Sequence, residues 1–276
     1  MGGRDVLERG SRCLLGLHGA RGPVLSPMAY WFDGTAVWMS TPARGMKVSA
    51  LARDTQCALY VAPADDEGSG AVASGRARVF SARDPRGLVL HGPTISAALA
   101  VLALRNAASI AGYLADAPRI PSRFLPRNRV VVRVVLDDVE AVRPPALTPG
   151  IAPALPTVVP PDVRRALTGR RRVVLAALDG DTVRLAPAVW RAGAGAGLPL
   201  SLPAGFDLHG GAPAAVALDA DSRGRPTEVS GLSLSGTLTP GPALLAERVT
   251  WWHGFDLTTA EVPTPNSTHG AITLPD

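Results

Sequence analysis

Apolar and polar positions alternate along most of this chain, the period of strands with one buried face. Arg12 to Leu17 is an apolar run closed by the turn residues His18-Gly19-Ala20-Arg21-Gly22. Val24 to Phe32 follows and ends at Asp33-Gly34, a strong hairpin signal between apolar runs, and Thr35 to Ser40 returns. These three segments read as a meander. Val48, Leu51 and Ala52 then recur at helical spacing, and Gln56 to Val61 reads as a strand. An acidic, glycine-rich turn over residues 64–70 leads to a strand over Ala71 to Phe80, with Gly75 where a bulge would fit. Ile95 to about Leu114 reads as a buried helix, and Arg129 to Val142 as the last strand of the unit.

Residues 143–161 carry seven prolines, which remove backbone donors and stiffen the chain, so this stretch reads as a linker outside any core. Beyond it the pattern repeats. Leu25-Ser26-Pro27-Met28-Ala29-Tyr30-Trp31 pairs with Leu185-Ala186-Pro187-Ala188-Val189-Trp190-Arg191, Ala58-Leu59-Tyr60 with Val216-Ala217-Leu218, and Ser74-Gly75 with Ser230-Gly231. The matches are collinear, their offset drifting only from 160 to 156 residues. An internal duplication is expected, with a domain over 1–142, a linker over 143–170, a degenerate second copy over 171–262 and a tail over 263–276.

Composition narrows the class. Hydrophobic residues make up 46% of the 276 positions and charged ones 18%, enough for a substantial core. The net charge of +5 comes from arginines spread along the chain, with no basic tract interleaved with aromatics, so no nucleic-acid partner is expected. The charged N-terminus is not a signal peptide, and the longest apolar stretch, Ile95 to Leu104, is too short to span a bilayer. A cytoplasmic protein with no membrane partner is expected. Cys13 and Cys57 sit in strand-like runs and read as buried thiols of a reducing compartment. The five histidines are scattered, and no metal-ligand spacing occurs.

Lys47 is the only lysine beside 27 arginines. It lies in Ser40-Thr41-Pro42-Ala43-Arg44-Gly45-Met46-Lys47, the end of a strand, a short loop and the start of a helix. Two hydroxyls, an arginine, a lysine and free helix N–H groups there would converge on an anion; the alternative is a solvated surface charge. The second copy reads Pro203-Ala204-Gly205-Phe206-Asp207-Leu208 at that place, with neither lysine nor arginine. One charged anion site is therefore expected, not two.

The first half resembles the FMN-binding split-barrel family, which includes pyridoxamine-phosphate-oxidase-like proteins and deazaflavin-using relatives. The resemblance rests on the run from Gly22 through Gly34, on Val37-Trp38-Met39-Ser40-Thr41, on Lys47-Val48-Ser49-Ala50-Leu51, on Gln56 to Val61 and on Gly75-Arg76-Ala77. It covers about residues 10–142, with an echo over 171–257. It implies a mainly β protein with a few helices: two antiparallel split β-barrels in one chain, a pseudo-dimer with the cofactor between them. Ser40, Thr41, Arg44 and Lys47 would hold the cofactor phosphate. Ser26, Pro27, Met28 and Ala29 would lie along the isoalloxazine ring, and Trp31, Trp38, Trp190, Trp251 and Trp252 are candidates for an apolar wall. FMN is the expected cofactor, with deazaflavin as the alternative and an oxidoreductase acting on a small molecule as the expected activity. The family's second basic residue near the ring has no clear counterpart, and no catalytic residue is assigned. A cofactor-free structural or ligand-sensing module and haem binding are the other readings. A monomeric pseudo-dimer is expected, with a homodimer as the alternative.

Overall fold

A computed structural model of the chain describes residues 2–65, 68–81, 84–107, 111–112, 115, 129–147, 154–191, 197–219, 229–254 and 256–263. The first half is a closed six-stranded barrel built from β1 (Arg12–Gly19), β2 (Gly22–Phe32), β3 (Ala36–Pro42), β4 (Gln56–Val61), β5 (Gly70–Phe80) and β6 (Arg129–Val142). Their cyclic order is β1-β2-β3-β6-β5-β4, antiparallel throughout. Alternate residues point inward, so Leu15, Leu17, Met28, Tyr30, Phe32, Val37 and Met39 meet in one core. The Asp33-Gly34 hairpin forms as its sequence requires. Gly34 has φ 94°, and Asp33 accepts from the Thr35 and Ala36 amides and from Trp38 Nε1 at 2.6 Å.

Helices also dress this barrel. α1 (Gly3–Arg9), not foreseen in the sequence, inserts Val6 and Leu7 into the core, and Leu7 O accepts from the Tyr30 hydroxyl at 2.8 Å. α2 (Met46–Arg53) follows β3 and seats Ala50 and Leu51 in the same core. α3 (Pro85–Arg105) starts ten residues earlier than the apolar pattern implied. Asp84 caps it by accepting from the Gly87 amide, and Pro85 suits the first turn, where no backbone donor is needed. Nor is it a buried helix. Ile95 and Ala98 pack with Trp38, Phe80 and Val131, and Leu102 is also buried, while Val89, Leu90 and Leu104 are exposed. By length and composition α3 alone among the described helices could cross a membrane; here one face lies on the barrel.

The second half repeats this path. It consists of β7 (Arg172–Asp179), β8 (Thr182–Trp190), β9 (Leu198–Ser201), β10 (Pro213–Asp219), β11 (Ser230–Leu238), β12 (Ala243–His253) and β13 (Asp256–Glu261). Pairing of β11 with β12 closes the order β7-β8-β9-β12-β11-β10, the cycle of the first barrel, with β13 added on the outer edge of β12. Both halves are split barrels, and their registers fix the residue equivalences. β1 and β7 align at an offset of 160, with Leu14 paired to Tyr60 where Val174 pairs to Ala217. Ala58 therefore corresponds to Ala215, one residue before the match read from sequence. Ser74-Gly75 corresponds to Ser235-Gly236, not Ser230-Gly231, because each pair carries the register shift of a β-bulge against the neighbouring strand. At both bulges a Cβ would run into a carbonyl oxygen, that of Val135 or Leu245. Short apolar strands look alike, so only the ladder distinguishes these alternatives.

The proline-rich segment is more than a linker. α4 (Pro161–Ala166) and its flanks put Val159, Val163 and Leu167 into the second core, apolar positions that the proline count concealed. The two barrels meet face to face. Leu25, Ala58 and Tyr60 pack with Val174, Val183, Leu185 and Ala217 in one continuous cluster.

Gly75→Ala and Gly236→Ala are each expected to lower unfolding free energy by about 1–3 kcal/mol, the usual cost of overpacking. Urea titration checks this; an unchanged midpoint for both would show that the bulges relax freely.

Candidate functional site

The inward rows of β2 and β3 end in hydroxyls. Ser26 continues the row of Met28, Tyr30 and Phe32, and Thr41 continues that of Val37 and Met39. Both are buried at the barrel end that α2 closes. Lys47, the second residue of α2, is half-buried and donates from Nζ to Ser26 Oγ at 2.8 Å. Thr41 Oγ1 is buried and has no hydrogen-bond partner among the described residues.

The electrostatics of this corner call for an anion. Lys47 makes no ion pair among the described residues. Its pKa is lowered below the ordinary lysine value, first by burial and then by the guanidinium of Arg129. A cation in the first turn of a helix also opposes the helix dipole, and the N-cap Gly45 offers no side-chain acceptor. Arg129 reaches the corner from the start of β6, opposite Pro42, and donates to Ser40 Oγ at 3.0 Å and to Ser40 O at 2.6 Å. Two cations, three hydroxyls and the free N–H groups of a helix start suit a phosphate monoester.

The structure thus brings Ser26, Ser40, Thr41 and Lys47 to one end of the barrel. Arg44 does not join them: it is exposed on the turn before α2 and makes no hydrogen bond or ion pair among the described residues. Arg129 is the second cation there. Its sequence context is an unremarkable strand start, and only the β3–β6 ladder shows where it lands.

Residues 26–29 pair along one edge with β1, from Leu15 opposite Ser26 to Arg12 opposite Ala29. On the other edge the β2–β3 ladder covers only Tyr30, Trp31 and Phe32. This split leaves backbone groups of residues 26–29 outside the β2–β3 ladder. Pro27 and Ala29 point outward, and Met28 points into the core. Of the tryptophans, Trp31 and Trp38 pack in the cluster under α3, with Trp38 stacked on Phe80 at 6.2 Å, and Trp190 is buried in the second core. They are interior side chains, not a groove wall. Trp251 also leans on the second core, whereas Trp252 is half-buried against Gly231 with a buried, unpartnered Nε1.

The strand registers relate this end to a cavity on the other side of the internal two-fold. That cavity, of about 360 Å³, lies between β4–β6 and the second barrel, bounded by Val72, Glu140 and Val142 on one side and by Arg184, Ala186 and Phe206 on the other. Carried through the registers, the positions equivalent to its walls are Val24 and Ser26 on the first barrel and Ser233, Thr250 and Trp252 on the second. Contact of β2 with β10 and β11 places those surfaces side by side. The second barrel is apolar where the first has its polar corner: Ala186 stands for Ser26, Leu202 follows β9 where Thr41 closes β3, and residues 203–208 carry no lysine or arginine, with Leu202 and Leu208 packed on the second core.

No protein-family model matches this chain, and no curated protein does. Among solved structures, the chain is similar to an FAD-binding protein from Mesorhizobium loti at 16% identity and TM-score 0.39, over 50% of this chain and 89% of that one. It is similar to an F420 reductase at 17% identity and TM-score 0.34, over 50% and 94%. It is also similar to HutZ, the heme storage protein from Vibrio cholerae, at 9% identity and TM-score 0.36, over 50% and 90%.

Lys47→Leu, which removes the partly desolvated charge, is expected to raise the Tm of the ligand-free protein at neutral pH by on the order of 2–4 °C, the shift of a ~1 kcal/mol gain in a domain of this size. The sign follows from proton linkage. The folded pKa of Lys47 lies below its ordinary 10.5, so between the two the unfolded chain binds more protons and wild-type stability rises with pH. The advantage of the variant should therefore shrink as pH climbs toward 10.5. Thermal melts from neutral to alkaline pH check this, and a lower Tm for the variant would show the lysine to be structural.

Proposed function

We propose that this chain binds FMN with its phosphate at the Lys47 corner and its ring along residues 26–29, and acts as a flavin-dependent oxidoreductase on a small molecule. The supporting observation is a half-buried cation at a helix start, bonded to Ser26 and neighboured by Arg129, beside the buried, unpartnered hydroxyl of Thr41. A phosphate satisfies all three requirements at once. It neutralises Lys47, places an anionic acceptor beside Arg129, accepts from Thr41 and Ser40, and meets the N–H groups that α2 leaves unpaired.

When bound, the flavin supplies hydride transfer, and the protein's part is placement. Lys47, Arg129, Thr41 and Ser40 anchor the charged tail. The β2 edge over residues 26–29 offers backbone donors and acceptors to the polar edge of a ring, while Pro27 and Ala29 turn apolar surface outward. Across the groove, Trp252 supplies an indole against which the ring can rest and which excludes water. The apolar Ala186, Leu202 and Leu208 give the second groove no phosphate cradle, so the stoichiometry is one cofactor per chain. With both barrels in one polypeptide, the functional unit is a monomer. Two buried thiols, Cys13 and Cys57, fit the cytoplasm.

Titration with FMN is expected to saturate at one per chain and to quench Trp252 fluorescence. Lys47→Ala should weaken FMN by at least about tenfold and leave riboflavin unchanged, since a charged hydrogen bond contributes about 1.5–3 kcal/mol. Equal losses for both would refute the phosphate assignment, tighter binding of deazaflavin would reassign the cofactor, and binding of neither would leave a structural module. Light scattering should give the mass of one chain.

A further inference from the structure

A second cavity, of about 600 Å³, lies between the barrels on the internal two-fold itself. Lys47, Thr41 and Arg129 take no part in its lining, so it is separate from the phosphate corner. Its walls come in equivalent pairs: Arg12 with Arg172, Leu14 with Val174, and Pro27 with Pro187. The volume falls within the range of small-molecule sites.

We propose that this cavity binds a carboxylate on an apolar body, with Arg12 and Arg172 as the recognising groups.

Three features carry the assignment. First, the two-fold brings two guanidiniums to one space, each a planar fork matched to a carboxylate. Among the described residues, Asp65 is the one acid in the lining. Both arginines keep protein contacts of their own, so a ligand carboxylate would extend an existing network. Second, most of the remaining described wall is aliphatic or proline, with Ser11, Cys13, Tyr60 and Asp65 as the other side chains. Pro27 and Pro187 lie mid-strand and carry no N–H, so polar recognition falls to the side chains. Third, the pairs break symmetry at one place. Tyr60 of β4 corresponds to Ala217 of β10, giving a phenol on one side and room on the other. Burial pushes the Tyr60 pKa up to about 12, against the pull of Arg172, so the phenol stays protonated as a donor at neutral pH. A flat or linear apolar acid would place its carboxylate at the arginines and its body between the prolines and Ala217.

Isothermal titration of the full chain with 2-naphthoate and octanoate tests this, with 2-naphthalenemethanol as the uncharged comparator. Saturable binding of an acid at one per chain is expected, at least about tenfold tighter than the alcohol. Arg172→Gln should weaken it by a similar factor, Arg172→Lys should keep part of it, and Lys47→Leu should leave it unchanged. Arg12→Gln, at an exposed side chain, provides the same test should Arg172→Gln fail to fold. Equal affinity for acid and alcohol, indifference to both arginine variants, loss in Lys47→Leu, or no saturable binding of either acid at millimolar concentration would each overturn the site. Because Lys47→Leu should abolish FMN binding and spare the acid, the two sites fail independently.

Discussion

The apolar seam between the barrels is the constraint on which the other features depend. Leu25, Ala58 and Tyr60 close on Val174, Val183, Leu185 and Ala217, and burial of each large aliphatic side chain contributes roughly 1.5–3 kcal/mol. One chain carries both faces, so their association incurs none of the translational loss of two separate subunits. The approach is close: a Cβ on Gly16 would sit 2.8 Å from Leu185 Cδ2. This face-to-face packing creates an approximate two-fold, with the 360 Å³ cavity on one side and the arginine-lined cavity between the barrels. Neither barrel alone presents either of them.

Symmetry of the backbone is not matched by symmetry of chemistry. At the end of the first barrel stand Ser26, Thr41 and Lys47; at the end of the second stand Ala186, Leu202 and Leu208. The same two strand ends and the following turn are polar in one copy and apolar in the other. The second barrel spends these positions on its own core, with Leu202, Phe206 and Leu208 packed inward, and forms no helix where α2 stands in the first.

Much of this was legible from residue types, and the remainder fails for identifiable reasons. Strands, the Asp33-Gly34 turn and the Gly75 bulge follow from period-two patterning and turn chemistry, both local signals. Lys47 stood out because a lone lysine at a predicted helix start is a local signal too. Arg129 did not, because its place beside Ser40 arises from a ladder between segments 89 residues apart. The alignment of the copies slipped by one residue at Ala58 and by five at Ser74-Gly75, since apolar strands tolerate sliding until a bulge fixes the register. The start of α3 was missed because its first turns are apolar yet exposed, so burial could not be inferred from hydrophobicity. Tryptophan identity was a poor guide to location for a similar reason: large aromatics fill cores before they line grooves.

The two grooves show why charge compensation separates a site from a scaffold. In the second groove Arg184 occupies the position of Val24. It stacks on Phe206 at 4.8 Å and donates to Asp207 O at 3.0 Å and to Asp179 Oδ2 at 3.4 Å. That guanidinium is balanced by its own chain, and its partners hold it across the groove. In the first groove the roles are reversed. Lys47 has a neutral serine for a partner and a guanidinium for a neighbour, and the nearby Thr41 hydroxyl donates to nothing among the described residues. Folding alone does not favour such a corner, because desolvation, like-charge repulsion and the helix dipole all act against it. The two copies therefore differ in charge compensation at equivalent strand ends, and this asymmetry is what the phosphate proposal rests on.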